Sequence, residues 1–143
     1  MSTFTTRIAL LLALGSPFLA APTASGASPD PCQVLPAGVW SSIMGYAATA
    51  KPGDMNCTYE GPRNTGGGQF RILANTASSA EATASATRMR ARQPRGGHNP
   101  RLAVVDSQGT VVFSIALFQK EPTDSTASQL QKLVAAAKQH LPK

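Results

Sequence analysis

Segment 110–118 constrains the fold more than any other part of the chain, because it is apolar on both sides of a strand. Alternate residues of a strand point to opposite faces of its sheet. One face carries Val111, Phe113, Ile115 and Leu117. The other face carries Val112, Ser114, Ala116 and Phe118. A strand with two apolar faces is typical of a sheet that is covered on both sides, so we expect helices to pack on the sheet that contains this segment.

Three further strands are predicted by their residue patterns, and the four strands pair as two hairpins. Segment 101–106 precedes the apolar strand and is joined to it by a turn at 107–109. Segments 56–60 and 69–74 form the other hairpin. The glycine-rich stretch 61–68 between them is expected to be a flexible loop.

Helix signals separate these hairpins. Residues 36–45 begin with proline and end with glycine, which favours a short helix. Ser78 and Glu81 form a capping-box signature for a second helix, which runs to about Arg92. A last helix begins near Thr123 and has apolar residues at spacings of three and four. The order is α-β-β-α-β-β-α, which predicts an α+β domain with helices packed on a mostly antiparallel four-stranded sheet.

The first 27 residues have the three parts of a secretory signal peptide. Arg7 supplies the positive start, 8–21 is the apolar run, and small residues at 24–27 provide cleavage sites. The alternative is a short buried helix or a retained anchor, but the apolar run is too short to span a bilayer. We therefore expect residues 1–27 to be removed and 28–143 to form a single periplasmic or secreted domain, without a transmembrane anchor.

The chain contains two cysteines, Cys32 and Cys57. An even number of cysteines in an exported chain favours a disulfide. This bond would close a loop of about 25 residues and tie the first helix to the edge of the sheet. The alternative is a pair of buried free thiols.

Positive charge is concentrated in one stretch of the sequence. The formal net charge is +6, of which Arg7 leaves with the signal peptide, and no acidic residue lies between Glu81 and Asp106. The order of strands and helices brings the end of the second helix to the same end of the domain as the 61–68 loop. We therefore expect a binding site composed of Arg63, Arg88, Arg90, Arg92, Arg95, His98 and Arg101.

Two interpretations of this basic end stay open. The first is a site for an acidic protein surface, a phosphate-bearing polymer or an anionic envelope lipid, since arginine binds carboxylates and phosphates through a planar fork. The second is a solvated helix end, where the helix dipole favours positive charge. Nucleic acid is disfavoured, because the chain is expected to be exported and no aromatic residue between Phe70 and Phe113 can stack on a base.

Local signatures of catalysis and of cofactor binding are absent from the sequence. The two histidines, His98 and His140, have no cysteine or histidine at metal-ligand spacing. The seven acidic residues are scattered, and the glycines at 66–68 lack the Gly-Lys-Ser/Thr of a phosphate-binding loop. We therefore expect no metal, no cofactor and no enzymatic activity, with a small hydrolase as the least favoured function.

The surroundings of the two cysteines follow a recurrent pattern. Pro31 and Cys32 precede a short helix that ends at Gly45, and Cys57 begins a Cys-Thr-Tyr strand. An alanine-rich helix, a late hairpin and a C-terminal helix complete the pattern. It resembles a group of small bacterial cell-envelope proteins of unknown function. The resemblance implies a disulfide-linked, non-enzymatic domain outside the cytoplasm, and it implies no particular ligand.

Together these features predict a non-catalytic binding or accessory module of the cell envelope. Its arginine-rich end is expected to engage another envelope or secreted protein that has an acidic surface. The alternative is an inhibitor or immunity-type protein that neutralises a toxin or a hydrolase with the loops at 61–68 and 93–100.

Overall fold

The computed structural model describes residues 28–63, 65–92, 101–118 and 123–143. In chain order, its elements are α1 (Pro31–Val34), α2 (Ala37–Met44), β1 (Thr49–Pro52), β2 (Asn56–Glu60), β3 (Gly67–Asn75), α3 (Ser79–Arg92), β4 (Arg101–Gln108), β5 (Val111–Phe118) and α4 (Asp124–His140). The predicted signal peptide lies outside the described residues. Within the described ranges, no helix is both long and apolar enough to span a membrane.

The five strands form one antiparallel sheet in the order β1-β2-β3-β5-β4. This arrangement confirms the predicted α+β class and the antiparallel pairing. β5, the strand that is apolar on both faces, lies inside the sheet between β3 and β4. Helices pack on both faces of β5, as its residue pattern predicts.

The predicted four-stranded sheet and its element order are wrong in detail, because the chain also forms a fifth strand, β1, and a first helical turn, α1. β1 is mostly exposed and has one small apolar residue, Ala50, so its side chains give no strand pattern. Its pairing with β2 makes it an edge of the sheet. The Gly53 N–H donates to the Asn56 carbonyl at 2.8 Å, which places Pro52 at a position whose missing N–H faces away from β2.

Three helices, α1, α2 and α4, cover one face of the sheet and enclose the main hydrophobic core. The fully buried side chains of this core include Leu35, Trp40, Tyr59, Phe70, Phe113, Ile115, Leu117 and Leu133. The Trp40 ring stacks on the Tyr59 ring, with centroids 4.0 Å apart and planes at 5°. The Trp40 Nε1–H donates to the Tyr46 hydroxyl at 3.1 Å, so the buried indole is also satisfied as a donor.

α3 covers the opposite face of the sheet only in part. Its buried residues Ala82 and Ala86 pack against Val105 of β4 and Val112 of β5. The rest of this face, on β2, on β3 and at the end of β5, carries side chains that are half-buried or exposed. Among the described elements, helices therefore cover the sheet on both sides at one edge and on one side elsewhere.

The helix ends follow the signals in the sequence. The Ser78 hydroxyl accepts a hydrogen bond from the Glu81 N–H at 3.2 Å, and the Glu81 carboxylate accepts one from the Ala77 N–H at 3.3 Å, so the predicted capping residues act at the start of α3. α2 ends at Gly45, whose φ of 79° is in the left-handed region. α4 begins after Thr123, which forms a capping box with Thr126.

A disulfide joins Cys32 to Cys57, as predicted, with their Cα atoms 5.1 Å apart. It connects α1 to β2, next to a second link in which the Tyr59 hydroxyl donates a hydrogen bond to the Leu35 carbonyl. Burial raises the pKa of the Tyr59 phenol above its usual range, and the negative charge of Asp30 raises it further. A structural disulfide of this kind is typical of proteins outside the cytoplasm.

Candidate binding surface

Two of the predicted site residues lie at the end of the sheet where β3 begins. Arg63 is exposed in the turn between β2 and β3. Arg101 begins β4 and pairs with Phe118, which in turn pairs with Gly67, so the Arg101 backbone lies in the same row of the sheet as Gly67. Arg95 and His98 lie outside the described residues. The part that these two residues play in the site stays a prediction.

The three predicted arginines of α3 do not share one side of the helix. Successive residues of an α-helix are about 100° apart around its axis, so Arg88 and Arg92 lie on one flank and Arg90 lies on the other. Arg90 is directed to the outer edge of the sheet, where it pairs with Asp106 of β4. Arg92 therefore lies on the side of the inner strands, whereas Arg88, about 140° around the helix from the sheet-facing Ala82 and Ala86, points largely away from the sheet.

Asp106 joins the two helical layers across the edge of the sheet. Its Oδ1 accepts a hydrogen bond from Arg90 Nη2 at 3.3 Å, and its Oδ2 lies 2.8 Å from Lys138 Nζ of α4. Because α3 and α4 pack on opposite faces, the two basic side chains reach this carboxylate around β4 from both sides. Arg90 is consequently engaged in an ion pair and is less available to an anionic partner than the other arginines.

Four exposed arginines have no acidic partner among the residues that the structure describes. They are Arg63, Arg71, Arg88 and Arg92. Arg71 is in the middle of β3, on the face of the sheet away from the main core, and it pairs across the strands with Asn56 and Ser114. The charge of these four groups is thus not neutralised within the described chain.

The loop predicted at 61–68 is shorter in the structure, because Gly67 and Gly68 belong to β3 and are buried. Gly61 lies against the Tyr46 ring. The Thr65 N–H donates to the Pro62 carbonyl at 3.1 Å. The connection is therefore shorter than the predicted 61–68, because β3 includes the last two residues of the predicted loop.

An uncovered area lies beside α3, on the side of the sheet away from the main core. We call it the open sheet face, and its residues are Thr58, Gln69, Arg71, Ser114, Ala116 and Phe118. In the described chain, no helix packs over this area, and its side chains are half-buried or exposed. Lys51 and Glu60 border it as an ion pair with a separation of 2.7 Å, so the free charge of the open sheet face is that of Arg71.

A shallow depression of about 430 Å³ lies at the end of the open sheet face. It is lined by residues 58–60, by Gly61, Gly66 and Gly67, and by Phe118. Phe118 is 37% exposed, which is unusual for a large apolar side chain in this molecule. The depression therefore offers an aromatic ring and glycine backbone, next to a carboxylate that is already paired.

Arg71 and Phe118 were not among the site residues that the sequence predicts. A signal for both exists, since strand alternation places Arg71 opposite Phe70 and places Phe118 at the end of the less apolar face of β5. The sequence does not reveal that α3 packs over β4 and β5 and not over Arg71 and Phe118. That fact depends on tertiary packing.

The surface offers guanidinium, amide and hydroxyl groups, which donate hydrogen bonds to carboxylates or phosphates. Within the described ranges, no three His, Cys, Asp or Glu side chains are grouped so that they could hold a metal ion. No protein-family model, characterised protein or solved structure matches this chain. A proposal for the function of this protein therefore depends on the geometry of the surface alone.

Proposed function

We propose that this protein is an exported, non-catalytic binding module of the cell envelope, which engages an acidic surface of another envelope or secreted protein. The observation that carries the proposal is the set of four exposed arginines, Arg63, Arg71, Arg88 and Arg92, without acidic partners in the described chain. Guanidinium groups bind carboxylates through paired hydrogen bonds, and arginine is enriched in protein interfaces. The disulfide and the predicted signal peptide support the exported location.

The position of Arg71 favours a binding surface over a solvated helix end. The helix dipole accounts for positive charge at the end of α3, but Arg71 is on a strand and gains nothing from that dipole. Next to it, the Gln69 side-chain amide is 3.4 Å from the Thr58 hydroxyl, so polar groups that can bind a partner adjoin the charge. The arginines are therefore best explained by a common anionic partner.

Charge reversal tests this proposal with polyglutamate as a defined acidic probe. We expect the unmodified protein to bind polyglutamate in moderate salt, and the affinity of the Arg71→Glu/Arg92→Glu variant to be at least about tenfold lower, because two favourable charges become repulsive. Titration calorimetry measures the affinity. Circular dichroism checks that the variant is folded. We expect no change in the spectrum, because both substituted side chains are exposed.

The matched control is the Lys132→Glu/Lys143→Glu variant. It changes the net charge by the same amount at two exposed positions, on α4 and at the C-terminal end. We expect its affinity to stay within about twofold of the unmodified protein in moderate salt, where charges far from the surface are screened. An equal loss in both double variants would mean that binding depends on net charge alone and that the proposed surface is wrong.

A further inference from the structure

We infer that the open sheet face binds an extended acidic segment of the partner, with one aromatic or large aliphatic side chain of that segment inserted in the depression beside Phe118. This inference rests on the proposed function. It adds the form of the partner and the position of its anchoring residue.

The open sheet face has the dimensions of a site for an extended chain. Its residues form rows across β2, β3 and β5. One row is Thr58, Gln69 and Ala116, and the next is Arg71 and Ser114, in line with Asn56 at the border of this surface. With strands roughly 4.8 Å apart and rows roughly 7 Å apart, this area accommodates one extended segment. It is much smaller than the roughly 800 Å² per partner of a standard interface between two folded proteins.

Charge borders this area from two directions. Arg71 lies on the sheet, whereas Arg92 lies on the side of α3 that is nearer to the inner strands and Arg88 lies one turn before it on the helix. Because these arginines come from a strand and from two turns of a helix, we expect them to offer charge along a surface and not at the single point that one phosphate group would need. A polypeptide with several carboxylates along its length matches this distribution.

The depression distinguishes a polypeptide from other polyanions. Its wall of glycine backbone and the exposed Phe118 ring leave room for an apolar side chain. Glu60 in this wall is bound to Lys51 at 2.7 Å, so among the described lining residues an incoming apolar group meets no unpaired carboxylate. Aromatic anchors in such positions contribute most of the binding energy of many interfaces. A polyphosphate or a lipid headgroup has no side chain to place there.

The test uses two synthetic peptides of about eight residues, long enough to cross the surface when extended. Both consist of aspartate and glutamate around one central residue, which is phenylalanine in the first peptide and alanine in the second. We expect the affinity of the phenylalanine peptide to be at least about fivefold higher than that of the alanine peptide, because the phenylalanine peptide buries an aromatic side chain. In NMR titrations of the protein, both peptides should shift the amide signals of Gln69 and Arg71, and only the first should shift those of Gly66 and Gly67.

Two variants of the depression locate the anchor. Thr58→Trp should fill the depression and make the affinities of the two peptides equal, since it removes the space for the phenylalanine ring. Phe118→Ala removes one wall at an exposed position and should reduce the same preference, so it provides the test if Thr58→Trp does not fold. A preference that survives both variants would overturn the inference.

The remaining outcomes separate the inference from the proposed function. Equal binding of the two peptides, lost in Arg71→Glu/Arg92→Glu, would overturn the anchor and leave the proposed function intact. Tighter binding of inorganic polyphosphate or of phosphatidylglycerol vesicles than of the phenylalanine peptide would show that the partner is not a polypeptide. If none of these anionic probes binds, both the inference and the proposed function are wrong.

Discussion

At the level of single residues, Gly68 is the position where one methyl group is expected to disturb the core most. A Cβ atom at Gly68 would overlap the Trp40 indole and lie 2.6 Å from the Ala116 carbonyl oxygen. We therefore expect Gly68→Ala to lower the free energy of unfolding by about 1–3 kcal/mol, the usual cost of overpacking. Urea denaturation followed by the fluorescence of Trp40, the single tryptophan, measures the change.

Gly38 provides the control for this substitution. It lies in α2, and a Cβ atom there would have no neighbour within 4 Å. Gly38→Ala should therefore raise the free energy of unfolding by about 0.5 kcal/mol, because alanine restricts the unfolded chain without a clash. If both substitutions had the same effect, the close contact between Gly68 and Trp40 would not exist in solution.

Tyr59 should make stability fall at alkaline pH. Burial raises its pKa in the folded protein, so between its unfolded pKa of about 10 and its folded pKa the unfolded chain loses a proton that the folded protein keeps. The contribution of Tyr59 to the free energy of unfolding is complete below about pH 10. Above that pH it decreases by about 1.4 kcal/mol per pH unit. We expect this decrease to be absent in Tyr59→Phe.

The comparison of the unmodified protein with Tyr59→Phe isolates this effect, because the two proteins differ only at this side chain. At neutral pH the variant should be less stable by about 1–2 kcal/mol, since the buried Leu35 carbonyl loses its donor. Above pH 10 the two free energies of unfolding should converge. Curves that remain parallel from pH 8 to pH 11 would contradict the role of Tyr59.

Among the elements, α1 depends most on a covalent link. The Cys32–Cys57 bond has a sequence separation of 25 and connects this one-turn helix to β2. Replacing both cysteines by serine should lower the free energy of unfolding by about 3–4 kcal/mol, the loop-closure entropy for this length. Urea denaturation of the oxidised protein and of the double variant measures the difference. Full alkylation of both thiols without a reductant would show that the bond does not form.

The elements that could be predicted from the sequence are those whose side chains carry a local signal. β2 has the predicted bounds because Cys57 and Tyr59 alternate with polar residues, and α3 begins where Ser78 and Glu81 indicate. β1 has no such signal, since Ala50 is its one apolar residue apart from Pro52 and its structure depends on pairing with β2. The predicted strand 69–74 is shorter than β3, because the glycines at 66–68 suggest a loop. In the structure Gly68 belongs to β3, where only glycine leaves space for the Trp40 ring.

For the whole molecule, the sequence indicated a basic surface but not its location. The concentration of arginine before Asp106 is visible in the sequence, and it led to the prediction of a site at the end of α3. Tertiary packing changes that site in two ways. Arg90 turns to the edge and pairs with Asp106, while the partial cover by α3 leaves Arg71 uncovered in the middle of the sheet. Neither consequence follows from local spacing.

The carboxylate of Asp106, which Arg90 and Lys138 share, also bears on whether a strand of another molecule can pair with β4. β4 is an edge strand, and such a strand offers backbone N–H and C=O groups to any other strand that approaches. Because Arg90 and Lys138 meet at Asp106 along this edge, an incoming strand would have to separate two ion pairs before it could add to β4. Pro52 removes a donor from the opposite edge. Both features are of the kind that disfavours the addition of a further strand at the edge of a sheet.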